Sequence, residues 1–118
     1  MTNHLETECI FCKIVRGELP AERVFEDDAI IAFKDINPQA PVHILVIPKQ
    51  HIRSIADMET QAELAGRMLV AGARLAREQE LAGAGYRLAV NHGQHGTQAV
   101  EHVHLHILGG RQLSGSLG

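Results

Sequence analysis

The sequence predicts an α+β domain: a five-stranded antiparallel sheet with one long helix and one short N-terminal helix. Three observations lead there. Five short segments rich in β-branched and apolar residues are joined mostly by tight turns. One long stretch, residues 57–81, carries helical spacing. The stretch His102-Val103-His104-Leu105-His106-Ile107 alternates between imidazole and apolar side chains. In a strand, that alternation puts the three histidines on one face and Val103, Leu105 and Ile107 on the other. On a helix, His104 would lie nearly opposite its two neighbours.

The elements follow in chain order. Residues 1–8 read as a flexible polar lead-in. Residues 9–16 carry apolar side chains at Ile10, Phe11, Ile14 and Val15, a helical spacing, and Gly17 supplies the stop. Residues 23–26 form a first strand, Asp27-Asp28 a turn, and residues 29–34 a second strand. Asn37-Pro38 and Pro41 mark a loop over 35–41. Residues 42–47 form a third strand, with His43 on the face of Leu45 and Ile47 and with Val42, Ile44 and Val46 opposite. Asp57 or Thr60 is the expected cap of the long helix, and Glu59 and Glu63 suit its positive end. Leu64, Met68 and Leu75 trace its buried stripe. Gly66 and Gly72 in its interior point to a close contact, either with the sheet of the same chain or with a second subunit. Gly83-Ala84-Gly85 ends it. Residues 86–91 form a fourth strand, 92–99 a glycine-containing loop, 100–109 the fifth strand, and 112–118 a loose polar tail.

Composition narrows the function. The chain has 118 residues, a net charge of −3 and no tryptophan. That balance offers no general attraction to nucleic-acid polymers or anionic lipid, and no base-stacking platform. No apolar run approaches a membrane span and the first residues do not read as a signal peptide, so a cytoplasmic protein is expected. A chain this short gains from dimerisation.

Three in-register imidazoles are costly to bury without partners. Two uses fit them. A neutral imidazole can attack phosphorus when one nitrogen is held as a donor and the other aims its lone pair, and His104 is the central ring. Gly93 to Thr97 can then supply backbone donors to phosphate oxygens. Alternate strand histidines also suit a zinc, copper or iron site. Both uses stay open on chemistry alone. Cys9-Ile-Phe-Cys12 supplies half of a tetrahedral zinc site, with buried unreactive thiols as the plainer alternative. His43 reads as a hydrogen-bonded strand histidine and Asp35 as a turn residue or a sugar-hydroxyl acceptor. His4, His92 and His95 read as surface residues.

Taken together, these residues make the chain similar to the histidine triad (HIT) family, in its Hint branch. The resemblance runs from Cys9 to Arg111. It is carried by His102-Val-His-Leu-His-Ile-Leu-Gly-Gly-Arg111, with support from the blocks 33–43 and 45–51. It implies a single HIT domain that is a homodimer and binds a purine nucleoside monophosphate. It also implies hydrolysis of purine nucleoside 5′-phosphoramidates through a nucleotidyl-histidine, with no cofactor needed for the chemistry. By resemblance His104 is the nucleophile, His106 hydrogen-bonds the phosphate or leaving group, and His43 sets protonation behind them. Asn91 and Thr97 sit on the phosphate side and Asp35 on the ribose hydroxyls. Phe11, Ile14, Leu19, Phe33, Ile36 and Leu45 line the base. Bacterial relatives that keep the cysteine pair imply a structural zinc on Cys9, Cys12, His51 and His102. Two positions depart from the family pattern: Thr97 stands where glycine is usual, and Ala99 where serine or threonine is usual. The loss of a hydroxyl at 99 predicts slow turnover. A nucleotide-binding module with little catalysis and a phosphohydrolase with metal on the triad are the alternatives.

Overall fold

The computed structural model describes residues 8–118. The expected lead-in, apart from Glu8, and His4 lie outside that range. The elements are α1 (Ile10–Val15), β1 (Arg23–Glu26), β2 (Ile30–Lys34), β3 (Val42–Pro48), a 3-10 turn (Ile55–Met58), α2 (Ala62–Glu78), β4 (Tyr86–Val90) and β5 (Leu105–Gly109). The strands form one sheet in the order β1-β2-β3-β5-β4. Every neighbouring pair is antiparallel. Among the described residues, no helix is long and apolar enough to cross a membrane.

The period-2 pattern of β3 divides the core. Ile44 and Val46 face α2 and join Ile30, Met68, Leu75, Val103, Leu105 and Ile107 in one cluster. Leu45 and Ile47 face the other way and pack with Phe11, Ile14, Ile31 and Phe33. Burying each such large aliphatic side chain contributes about 1.5–3 kcal/mol. The strand is therefore locked in register from both sides. A slip of one residue would send His43 into the α2 face.

α1 ends as expected, with Gly17 in the left-handed region at φ 79°. The long helix differs at both ends. The segment around Asp57 is a separate 3-10 turn, capped by the Ser54 hydroxyl, which accepts from the Ala56 N–H at 3.2 Å. α2 starts only at Ala62, behind Gln61, which makes no side-chain cap. Neither Asp57 nor Thr60 caps it. Its end comes at Glu78, with Glu80 rather than a glycine taking a positive φ of 62°. Gly72 answers the close-contact question for its own position. A Cβ there would lie 3.0 Å from Leu105 Cδ2 and 3.4 Å from Leu88 Cδ2, so the close contact is with the helix's own sheet and a methyl group would have to displace those leucine tips. A Cβ at Gly66 would meet nothing within 4 Å.

The largest departure is the fifth strand. It runs Leu105–Gly109 rather than from residue 100, and Val46↔Leu105 is its last pair with β3. Two residues further along β3, opposite Val103, stands Pro48, which has no N–H to give. Its carbonyl is taken by the His102 ring at 2.8 Å, and the Val103 N–H donates to the Ile52 carbonyl at 2.7 Å. The face alternation survives the loss of the ladder. Val103 lies in the α2-side cluster, whereas the rings of His102 and His104 contact Phe11 on the opposite side. The fourth strand stops one residue early, at Val90.

Candidate active site

Four histidine rings collect on the α1 side of the sheet, and the backbone fixes which nitrogen of three of them carries the proton. His104 Nδ1 lies 2.8 Å from the His102 carbonyl. A carbonyl only accepts, so Nδ1 is the protonated nitrogen and Nε2 keeps a lone pair. His102 Nε2 donates to the Pro48 carbonyl at 2.8 Å, which leaves its Nδ1 as the lone-pair nitrogen. On β3, His43 Nδ1 accepts from the Gln39 N–H at 3.0 Å. The His43 proton is therefore on Nε2, which stands 2.9 Å from His106 Nδ1. His106 receives that hydrogen bond at Nδ1, so its own N–H is at Nε2. The run from Gln39 through His43 to His106 ends in a donor, beside the ring of His104 at 4.9 Å between centroids.

Burial keeps these rings neutral. His104 is 6% exposed and His43 6%. Burial lowers the pKa of His43, with Asp35 opposing it. It pushes His106 down to about 4, with the neighbouring His104 and His43 adding to the effect and Asp35 again opposing. His104 is likewise lowered by burial, against its bond to the His102 carbonyl. A neutral imidazole with a free Nε2 is a nucleophile, and a neutral imidazole with Nε2–H beside it is a donor.

Asp35, just after β2, accepts from the Asn37 N–H through Oδ1 at 2.9 Å and places Oδ2 3.4 Å from His43 Nε2. Phe11 packs edge-on against the His104 ring at 5.2 Å and against Phe33 at 5.6 Å. Of the expected apolar lining, Phe11, Ile14, Phe33 and Leu45 are buried in one cluster. Leu19 is 38% exposed and Ile36 is 91% exposed.

The loop ahead of the histidines is held by its own side chains. Asn91 Nδ2 donates to the Gly96 carbonyl at 2.7 Å. Gln98 Oε1 accepts from the Gly93 N–H at 3.0 Å, and its Nε2 donates to the Arg53 and Val100 carbonyls. A Cβ at Gly96 would fall 2.3 Å from the His92 carbonyl oxygen, so only glycine fits. Thr97 takes φ 60°, and its hydroxyl donates to the Gly96 carbonyl at 2.6 Å. Ala99 is exposed. Sequence reasoning missed the clamps at Gln39, Pro48 and Gln98. Two of these act through the peptide group, which leaves no mark on residue type.

Cys9, Cys12, His51 and His102 place four ligand atoms within 4.8 Å of one another and can hold a metal ion. Cys9 Sγ is 3.4 Å and Cys12 Sγ 3.6 Å from His102 Nδ1, and Cys12 Sγ is 3.2 Å from His51 Nδ1. The Pro48 bond already turns the His102 lone pair toward the sulfurs, as an outer-shell partner of a metal ligand does. His51 Nε2 is buried without a partner. Asp35, His43 and His106 form a second such group. It fits an ion poorly, because metal on His43 Nε2 would force the proton onto Nδ1, opposite the Gln39 N–H.

Fold and site together define a small α+β protein built around a row of buried imidazoles. The HIT domain model matches residues 16–113. The chain belongs to the HIT family. It is 48% identical over 107 residues to the purine nucleoside phosphoramidase of Escherichia coli (strain K12), with 90% of each chain covered. A HIT family hydrolase from Legionella pneumophila Philadelphia 1 superposes with a TM-score of 0.91 at 49% identity, over 94% of this chain and all of that one. A histidine triad protein from Clostridium difficile gives 0.90 at 40% identity, over 98% and 99%. The cysteine pair lies ahead of the span matched by the family model.

Proposed function

We propose that this protein hydrolyses purine nucleoside 5′-phosphoramidates through a nucleotidyl-histidine. One observation carries the reading: the His102 carbonyl locks the proton on His104 Nδ1, so Nε2 presents a lone pair beside the Nε2–H of His106. The phosphoramidase activity of the 48%-identical relative supports the substrate class. His104 Nε2 forms the bond to the α-phosphorus. The P–N bond breaks, and its electron pair stays with the amine nitrogen, which takes a proton from solvent. His106 Nε2–H hydrogen-bonds the phosphate or the leaving group. Water then cleaves the nucleotidyl-histidine to the nucleoside monophosphate, releasing a proton. His43 holds His106 in the donating form. The base rests against Phe11, Ile14, Phe33 and Leu45, edged by Leu19 and Ile36, with the ribose at Asp35 and the phosphate near Asn91 and Thr97. His104→Asn should abolish turnover of an adenosine phosphoramidate while AMP still binds. Full activity in that variant refutes the reading.

The metal we propose is zinc, on Cys9, Cys12, His51 and His102. Metal–sulfur bonds of about 2.3 Å and metal–nitrogen bonds of about 2.0 Å give tetrahedral sulfur–nitrogen edges of about 3.5 Å. The spacings of 3.4, 3.6 and 3.2 Å suit that shape. Four protein ligands close the coordination sphere, so the ion would have a structural role: it would tie α1 to the residue two before the nucleophile. Cysteines that serve as metal ligands suit a reducing compartment, and we place the protein in the cytoplasm. We also propose a homodimer. β4 is an edge strand, and Val90, Leu69 and Val70 are exposed apolar residues available to a second copy.

A further inference from the structure

Asp35 is placed for more than a sugar contact. Its side chain is only 20% exposed. Oδ1 is tied to the turn by the Asn37 N–H at 2.9 Å. Oδ2 turns inward and stands 3.4 Å from His43 Nε2. The same nitrogen aims its proton at His106 Nδ1, 2.9 Å away. One N–H thus lies between two acceptors, one of them charged. Among the described residues, Asp35 is the one carboxylate grouped with these histidines.

We propose that Asp35 is a positioning residue for the imidazole row: its carboxylate acts with the Gln39 N–H to hold His43 in the Nε2–H form, and it supplies the counter-charge for the cation that forms on His104 when that ring bonds to phosphorus. The role rests on the phosphoramidase reading and is separate from ribose binding. The charge balance shows why it is needed. His104 starts neutral with Nδ1–H, gives its Nε2 lone pair to phosphorus, and keeps its proton, so the ring carries one positive charge until water displaces it. The site is buried, and burial disfavours a cation on every ring in it. Asp35 opposes that penalty at both His43 and His106. The carboxylate exchanges no proton in this scheme. The groups facing His43 are the Gln39 N–H, Asp35, His106 and His104, and only Asp35 is negative.

The test separates the new role from the sugar contact by removing the sugar hydroxyls. Wild type, Asp35→Asn and Asp35→Glu are assayed on an adenosine 5′-phosphoramidate and on its 2′,3′-dideoxy counterpart. The expected result is a kcat at least tenfold lower in Asp35→Asn on both substrates, with KM changed chiefly on the ribose one. Asp35→Glu should recover part of that kcat. Nitrogen-15 NMR of labelled histidine is recorded on the same proteins, and Asp35→Asn should show His43 as mixed tautomers while thermal unfolding confirms the fold. A kcat defect that vanishes on the dideoxy substrate overturns the proposal and leaves Asp35 as a ribose ligand alone. If wild type hydrolyses neither substrate, the phosphoramidase reading falls. The NMR result then decides the positioning role by itself, and an unchanged His43 tautomer refutes it.

Discussion

Replacing Thr97 with glycine should stabilise this protein. Thr97 has φ 60°, in the left-handed region where a β-branched side chain crowds its own backbone. Such a residue costs about 1–3 kcal/mol. Glycine removes that cost but loses more backbone freedom on folding, an offset of about 0.5–1 kcal/mol. The hydroxyl bond to the Gly96 carbonyl is also lost, but it is exposed and worth about 0.5 kcal/mol. The balance is a gain of about 1 kcal/mol, or roughly 4 °C in Tm for a chain of this size. Urea unfolding followed by far-UV circular dichroism measures it, since the chain has no tryptophan for fluorescence. Thr97→Ala serves as the control, because its Cβ keeps most of the strain. Gly96→Ala should be strongly destabilising, as its Cβ would fall 2.3 Å from the His92 oxygen. A Thr97→Gly variant that is less stable than wild type, or no better than Thr97→Ala, refutes the strain argument.

Four further outcomes are expected. His106 titrates near 4 rather than 6.5, so kcat/KM should stay level from neutral pH down to about pH 5 and fall below it; a fall centred above pH 6 contradicts that burial. In the same window the folded protein binds fewer protons than the unfolded chain, so stability should drop as pH falls from 6.5 towards 4, as unfolding at pH 7 and pH 4.5 will show. Cys12→Ser should lose bound zinc in metal analysis, and chelation of wild type should lower Tm by about 10 °C or more, given the roughly 4 kcal/mol that a ligand at a thousandfold its Kd contributes. Ala99→Ser should raise kcat by about tenfold or more if a hydroxyl there donates to the phosphate or the leaving amine; an unchanged rate removes position 99 from the chemistry.

The alternation of apolar and polar residues made the sheet readable. It placed His43 with Leu45 and Ile47, and the histidines opposite Val103, Leu105 and Ile107, where the structure has them. Spacing also marked Cys9 and Cys12 as half of a ligand set, and the resemblance to HIT proteins added His51 and His102, which the fold brings to the same point. The length of β5 was not legible, because it depends on Pro48 at the matching point of β3 and on the pull of the Ile52 carbonyl. The start of α2 was hidden for a similar reason: Ser54 caps a short 3-10 turn first, and sequence alone does not show two helical pieces separated by residues 59–61. Asp35 read as a turn residue, which it is through Oδ1. Its second oxygen reaches His43 only because β2 and β3 lie side by side.

Beside the Asp35 carboxylate, the groups that set the protonation pattern of the site are peptide groups: the N–H of Gln39 and the carbonyls of Pro48 and His102. A peptide group stays in place when a side chain is exchanged. Position 39 can therefore take almost any residue without disturbing the chemistry, provided it keeps its amide hydrogen. Proline there would remove the amide donor to His43 Nδ1 and leave Asp35 alone to hold the proton on Nε2.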